Sequence, residues 1–375
     1  MNVGVVGGGP GGSFLSWKLA SAGIPVTVFD PTHPREKPCA GGMTGAGFSK
    51  FDFLHSATLS YKNVHAVTCI SPQGVQAELR LDEPIRTFSR MQLDRYVLDS
   101  ATRNGAQWIR SRVTDVERND NGWLIHTGRE KHSFDFLVGA DGAHSLVRRK
   151  LAGKAPAESL MIALGYLARK TMCDHIIVKF VGGLRGYMWV FPRTGATSLG
   201  ICGPAACTRA QELRSLLHAF LQEKFPAFRP QPDEAYRSTI FCRGKDRSVP
   251  FCAQTWALVG DAAGFVDPIT LEGIRFAFES AELLATAIEE GEPERYAQLC
   301  RNAFLRKRMK ATELAKYIYR SDVLDMLVRM AGCSSTARAM LMEVYSGTIG
   351  YDSLRAKVVG MVGRRAAAKL LSAHG

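Results

Sequence analysis

The chain has 375 residues, 46% hydrophobic and 22% charged. That composition describes a folded globular protein with length for two domains or one large composite domain and ample core, and it excludes a disordered or fibrous chain. Lys plus Arg number 48 against 35 Asp plus Glu, and the resulting +13 suits an anionic partner: phosphate-bearing ligand, nucleic acid or acidic membrane surface. No apolar run approaches the roughly 18–20 residues of a spanning helix, so an integral membrane protein is not expected. The opening Met1-Asn2-Val3-Gly4-Val5-Val6 has no basic stretch ahead of an apparent core strand, so no secretory leader is expected either. The nine cysteines (39, 69, 173, 202, 207, 242, 252, 300 and 333) form no CxxC pair. Neither a disulfide framework nor a metal site is expected from such scatter, and the setting reads as reducing and cytoplasmic.

Residues 2–6 read as a short buried strand running into Gly7-Gly8-Gly9-Pro10-Gly11-Gly12. A helical apolar pattern follows (Phe14, Leu15, Trp17, Leu19, Ala20), then a second strand at residues 25–29 that ends at Asp30. The spacing is GxGxxG on Gly7, Gly9 and Gly12. Gly7 permits the tight turn, Gly9 lets the backbone approach a pyrophosphate, and Gly12 lets helix pack on strand. The helix start offers free N–H groups to phosphate, and Asp30 is placed to accept from both ribose hydroxyls. This order points to a dinucleotide without separating FAD from NAD.

Farther along, Arg90 opens Arg-Met-Gln-Leu-Asp; its guanidinium suits a phosphate, and the plainer reading is a solvated surface arginine. Residues 136–148 are a strand entering a polar turn and a basic helix start; residues 256–265 are another strand ending in Gly260-Asp261 at a helix entrance. Taken singly, Asp141 and Asp261 could each be a helix N-cap, and His144 reads as a surface turn residue. Strands are expected at 66–70, 176–180, 187–191 and 197–201, and a helix at 210–225 ended by Pro226. Within 187–191, Tyr187, Trp189 and Phe191 share one face and Met188 and Val190 the other. That aromatic face suits either a long apolar channel or sheet core against a helix. After Glu292-Pro293 the pattern is helical. Residues 301–320 carry seven Lys/Arg (301, 306, 307, 308, 310, 316, 320) against Glu313, and five more follow Asp352 with no acid. Such helices suit an anionic lipid surface, or a solvated basic face closing a channel. No nucleic-acid module is present, so no nucleic-acid partner is expected.

Residues 139–148 resemble the GADGxxSxxR motif, and residues 260–263 the GDAA motif, of the para-hydroxybenzoate hydroxylase-like flavoproteins. The resemblance implies FAD, with Asp261 on its ribityl chain. Lys37-Pro38-Cys39-Ala40-Gly41-Gly42-Met43, Gly186-Tyr187-Met188-Trp189-Val190-Phe191-Pro192 and Val266-Asp267-Pro268-Ile269-Thr270-Leu271-Glu272-Gly273-Ile274 resemble three motifs of the geranylgeranyl reductase family. These are its KPCGG-like loop, its YxWxFP strand and its DPxTGEGI-like stretch, and the likeness covers about residues 1–300. Ala40 and Leu271 depart from the pattern, each standing where the family carries glycine. Leu271 is expected to reshape the wall beside the flavin and hence the substrate. The resemblance implies cofactor contacts at Gly7, Gly9, Gly12, Asp30, Cys39, Ala40, Gly42, Arg90, Val113, Asp261, Gly273 and Ile274. It also implies catalytic or substrate-lining roles for Cys39, Tyr187 and Trp189. Cys39 is open between a thiol that donates a proton or positions substrate and a small buried hydrophobe.

The expected fold is α/β. A discontinuous Rossmann-like FAD-binding domain takes residues 1–54, 89–154 and 251–298; a mixed-sheet substrate domain takes 55–88 and 155–250; a C-terminal helical region takes 299–375. The resemblance implies a FAD-dependent reductase that saturates carbon–carbon double bonds of an isoprenoid (geranylgeranyl-type) or similar apolar lipid. With no second GxGxxG unit, its electrons are expected from visiting NAD(P)H or a reduced ferredoxin-like carrier. The first rival is a monooxygenase of the same fold that hydroxylates or epoxidises an apolar or aromatic substrate and needs dioxygen. The second is a non-redox enzyme or binding protein that keeps FAD as support. Only residues 37–43 and 187–192 favour reduction. The expected location is cytoplasmic, with peripheral membrane contact through the basic C-terminal helices as a further expectation.

Overall fold

A computed structural model describes residues 1–56, 58–244, 249–346 and 356. Val3–Val6 is buried at all four positions, as a central parallel strand covered on both faces must be. It pairs in parallel with Val26–Phe29 and with Phe136–Gly139. The sheet runs to six strands in the order Cys252–Ala253, Trp256–Leu258, Phe136–Gly139, Val3–Val6, Val26–Phe29, Gln107–Ile109. The helix Pro10–Ser21 begins directly after the glycine turn, with Pro10 in the first turn where its missing N–H has no partner to lose. Ile274–Glu289 packs beside it, Phe14 meeting Phe278 edge-on at 5.3 Å between ring centroids.

The second sheet has eight strands: Ala235–Phe241, Leu160–Ala168, Ala196–Pro204, Tyr187–Arg193, Ile176–Phe180, Tyr61–Ile70, Gln76–Phe88 and Gly42–Met43 in spatial order. It is antiparallel except where Ile176–Phe180 runs parallel to Tyr61–Ile70, so the sheet is mixed. Met188 and Val190 pack against Leu213 and Leu217 of the helix Ala210–Lys224, which leaves the aromatic face of that strand for the opposite side. Two features differ from the sequence reading. Residues 42–43, placed there with the cofactor domain, bond into the edge of the second sheet. A three-stranded meander (Asp115–Asn119, Gly122–Thr127, Glu130–Phe134) also covers the first sheet, with the Phe134 ring lying over Gly4.

The C-terminal region is helical over Arg306–Ile318, Ser321–Cys333 and Ser335–Ser346, and the last two pack on the strand Gln76–Phe88. Of the seven basic residues in 301–320, six are exposed. Arg308 is not part of that basic face: it is buried, and its Nη2 donates to the carbonyls of Gly264 and Val266. The five basic residues after Asp352 lie outside the described residues. Among the described residues no helix is long and apolar enough to cross a membrane, and no three His, Cys, Asp or Glu cluster as metal ligands.

Candidate cofactor and substrate site

A cavity of about 1040 Å³ runs from the glycine turn to the C-terminal helices. Gly7 has φ +108°, and a Cβ there would lie 2.4 Å from Ala140 O; at Gly12 it would lie 1.9 Å from Gly7 O. The chain itself closes both positions to any side chain. At Gly9 the nearest atom to such a Cβ is His33 Nε2, 3.7 Å away, so the space before this backbone belongs to the cavity. An open cradle at a helix N-terminus fits a pyrophosphate.

Asp30 lines the cradle and accepts from the backbone N–H groups of Gly8 (2.8 Å), Thr32 (2.7 Å) and His33 (2.9 Å). Burial pushes its carboxyl up, but His33 and these N–H donors outweigh burial and hold it well below the usual carboxylate range. The expected ribose acceptor is thus also the anchor of the glycine turn. Arg90, expected on a phosphate or in solvent, is buried rather than solvated and lines the cavity. Its Nε and Nη2 meet the two Asp94 oxygens at 3.0 and 2.8 Å, one helical turn on. Val113, Ala40, Gly42 and Ile274 line the cavity.

The N-cap of the helix Leu146–Leu151 is Ser145 rather than Asp141; Asp141 Oδ2 accepts from Leu146 N–H at 2.6 Å, yet its Oδ1 is buried without a partner in a residue that lines the cavity. That acceptor fits a bound donor. Asp261 lies 3.8 Å from Lys37 Nζ, and a Cβ on Gly273 would come within 3.1 Å of Asp261 Oδ1. The cradle, the unpartnered Asp141 oxygen and Asp261 beside Lys37 together fit FAD.

The loop carrying Cys39 is clamped from the second sheet. Arg193, 2% exposed, ends the aromatic strand; it donates to the carbonyls of Cys39 and Ala40 (3.2 Å for the latter) and pairs with Glu36. Ser198 Oγ also donates to Cys39 O at 2.9 Å. Sequence reading passed over Arg193, although it directly follows the YxWxFP-like motif. Cys39 itself is half-buried in the cavity wall and accepts from Gly41 N–H at 3.3 Å.

Leu271 has φ +58° and, among the described residues, is the one non-glycine with a left-handed backbone. The turn that holds it is built by Asp267, whose Oδ1 accepts from Ile269 (2.9 Å) and Thr270 (2.8 Å) N–H and whose carbonyl accepts from Leu271 N–H (3.0 Å). Leu271 packs in one apolar cluster with Ala40, Trp189 and Tyr236, where loop, turn and aromatic strand meet. Next to it, Glu272 accepts from Thr44 N–H at 3.3 Å, and burial pushes its carboxyl up to about 7.

Past this junction the wall is made by Val178, Phe180, Tyr187, Trp189, Phe191, Tyr319, Leu324, Leu327, Val328, Leu341 and Val344. None of these is charged. The Tyr187 hydroxyl donates to Thr270 O at 2.6 Å, that of Tyr319 to Ile269 O at 2.7 Å, and Trp189 Nε1 to Ser198 Oγ at 3.2 Å. Polar tips are bound into the protein, and ring faces and methyl groups remain for a ligand. His144 is exposed, its Nε2 2.8 Å from Thr239 Oγ1.

Residues 1–168 match the FAD binding domain family. Fold, cradle and match define the class: a flavoprotein of the FAD-dependent oxidoreductases, with a Rossmann-like FAD-binding fold. Over 76% of this chain and 75% of its relative, the sequence is 26% identical to digeranylgeranylglycerophospholipid reductase 1 of Methanosphaera stadtmanae. In structure it superposes on a geranylgeranyl bacteriochlorophyll reductase-like protein of Thermoplasma acidophilum with a TM-score of 0.79 at 22% identity, covering 99% of this chain and 98% of that one. A flavin-dependent brominase shares the fold at a TM-score of 0.75 and 19% identity, covering 95% and 98%. The resemblance to the geranylgeranyl reductase family, within the FAD-dependent hydroxylase-like superfamily, is therefore shown by sequence relatives as well as by motifs.

Proposed function

We propose that the protein is a FAD-dependent reductase that saturates carbon–carbon double bonds of an isoprenoid (geranylgeranyl-type) or similarly apolar lipid. The observation that carries the reading is the uncharged aromatic and aliphatic wall continuous with the cofactor cradle. A prenyl chain offers no polar handle, so it is recognised by burial, at about 0.8 kcal/mol per CH₂ removed from water. When bound, reduced FAD supplies the hydride equivalent for one alkene carbon. Gly9 and Asp30 hold the adenosine diphosphate end, and Asp261 and Asp141 offer acceptors farther along. Tyr187, Trp189 and Leu271 hold the hydrocarbon and exclude water. The proton for the other carbon comes from Cys39 or from water, since the Tyr187 hydroxyl already donates to Thr270 O. NAD(P)H or a reduced ferredoxin-like carrier is the electron donor. The setting is cytoplasmic, and the exposed lysines and arginines of residues 301–320 suit peripheral contact with anionic lipid, where such a substrate resides.

The test is anaerobic. The purified flavoprotein is photoreduced and mixed with geranylgeraniol, and flavin reoxidation is followed alongside the mass of the lipid. Reoxidation with a gain of two hydrogens is expected. A flavin that stays reduced until air is admitted, and then yields an oxygenated product, would replace this reading with the monooxygenase. No lipid product under either condition would refute both.

A further inference from the structure

We infer that His33 is a positioning residue for the cofactor, held as a doubly protonated imidazolium between two buried carboxylates, so that FAD affinity falls when the ring gives up a proton. The inference rests on FAD binding and not on the identity of the substrate.

His33 follows the acid of the second strand by three residues and is 7% exposed. Its Nδ1 lies 2.8 Å from Asp30 Oδ2, and its Nε2 lies 3.2 Å from Asp94 Oδ2, within ion-pair range though poorly aligned for a hydrogen bond. A neutral imidazole carries a single N–H. In that form it can serve one carboxylate and must turn a lone pair toward the other. Both contacts are favourable only when both nitrogens carry protons. The ring thus completes a buried row of alternating charge, Asp30, His33, Asp94 and Arg90, whose sum is zero. Removing one proton leaves a net negative charge in a region that is at most 7% exposed, a state that interiors tolerate poorly.

Charged groups face the ring from several elements. Asp30 approaches from the strand end, and Asp94 with Arg90 behind it from the helix Arg90–Arg103. The N-terminus of Pro10–Ser21 presents its positive end near the ring at Gly9. Arg35 lies on the same loop, bonded through Nε to Thr32 Oγ1 at 3.1 Å. The helix end and burial oppose the charge on His33, and the two carboxylates outweigh them and raise its pKa.

The link to FAD is geometric. The Asp30 oxygen that meets His33 also accepts from Gly8 N–H, so the ring sets the carboxylate that sets the glycine turn. His33 Nε2 is also the nearest atom to the open side of Gly9. With a folded-state pKa above the ordinary histidine value, the contribution of His33 is complete below that value and is lost as pH rises through the raised one. Asp30, depressed, acts the opposite way and fails only in acid.

FAD release from the holoprotein is measured by flavin fluorescence after ultrafiltration between about pH 5 and pH 9, where histidine titrates and lysine does not. For the unaltered protein, Kd is expected to be flat in acid and to rise once the ring titrates, by at most about tenfold per pH unit for a single proton. His33→Gln should bind FAD about tenfold more weakly at the acid end and lose that rise. Asp94→Asn removes the carboxylate facing Nε2 and should move the rise to lower pH. A flat profile for the unaltered protein, or one unchanged by Asp94→Asn, would overturn the inference even if His33→Gln failed to fold.

Discussion

A leucine is an unusual occupant of a left-handed turn, because its Cβ crowds the following carbonyl at a cost of about 1–2 kcal/mol. Leu271 accepts that conformation beside the cavity, and strain of this kind persists only where surrounding contacts over-determine it. Those contacts are the Asp267 turn and the cluster with Trp189 and Ala40. Two variants separate strain from packing. Leu271→Ala keeps the strained backbone and loses the side chain's burial; Leu271→Gly loses the same burial but releases the strain. The glycine variant is therefore expected to be the more stable of the two by about 1 kcal/mol in urea unfolding. Equal stabilities, or a more stable alanine variant, would show that the turn is unstrained. The substitution itself was visible in the sequence, as a leucine in a motif that elsewhere carries glycine. Its backbone angle was not, because φ at one residue is fixed by what the neighbouring turn demands.

At the scale of elements, the carboxyl of Glu272 ties the turn at residues 267–273 to the N-cap of the short helix Gly45–Ser49 through Thr44. Burial raises that carboxyl from its ordinary 4.5 to about 7. Between those values the folded chain binds more protons than the unfolded one, so this group makes stability fall as pH rises through the window. Asp30 and Asp94, both depressed, act below the window and do not mask it. Glu272→Gln should lessen the fall of thermal stability between about pH 4.5 and 7, leaving in place the acid limb and the part owed to Asp141, whose carboxyl burial also raises. A profile identical to that of the unaltered protein would show that Glu272 does not titrate there. The elements legible from sequence were those set by local spacing: the glycine turn with its strands, Ile176–Phe180, and the helix that stops before Pro226. The clamp of Arg193 on Cys39 and Ala40, the pairing of Gly42–Met43 with Thr87 and Arg86, and the Arg90–Asp94–His33 row were not. Most of these join residues far apart in sequence, and nothing in a local pattern says which buried charge will meet which. Arg90 and Asp94 lie one turn apart on one helix, a pair that local spacing allows but does not single out.

For the whole molecule, the arrangement divides labour between two sheets that share one cavity. The six-stranded sheet presents strand ends and helix N-termini, which are suited to phosphate and hydroxyl groups; the mixed sheet presents one aromatic face, which the helices Ser321–Cys333 and Ser335–Ser346 cover. Sequence patterning anticipated the aromatic face but left open whether it was channel or core, since both need the same alternation. The cover comes from residues about 150 positions farther along the chain, and only its position makes the face a channel wall. A charge placed on that cover should therefore act on the lipid alone. Val344 is half-buried on Ser335–Ser346 and lines the apolar limb. Val344→Asp puts an unpaired carboxylate against the hydrocarbon, and desolvating it should weaken geranylgeraniol binding by at least about tenfold. Flavin content and the visible spectrum should stay as they are, because the variant touches none of Gly9, Asp30 or Asp261. Loss of flavin in step with loss of lipid would mean that the two limbs fold as one unit and that the division is wrong. Unchanged lipid binding would mean that the hydrocarbon never reaches the helices, and the substrate would then have to lie on the Cys39 side of Leu271.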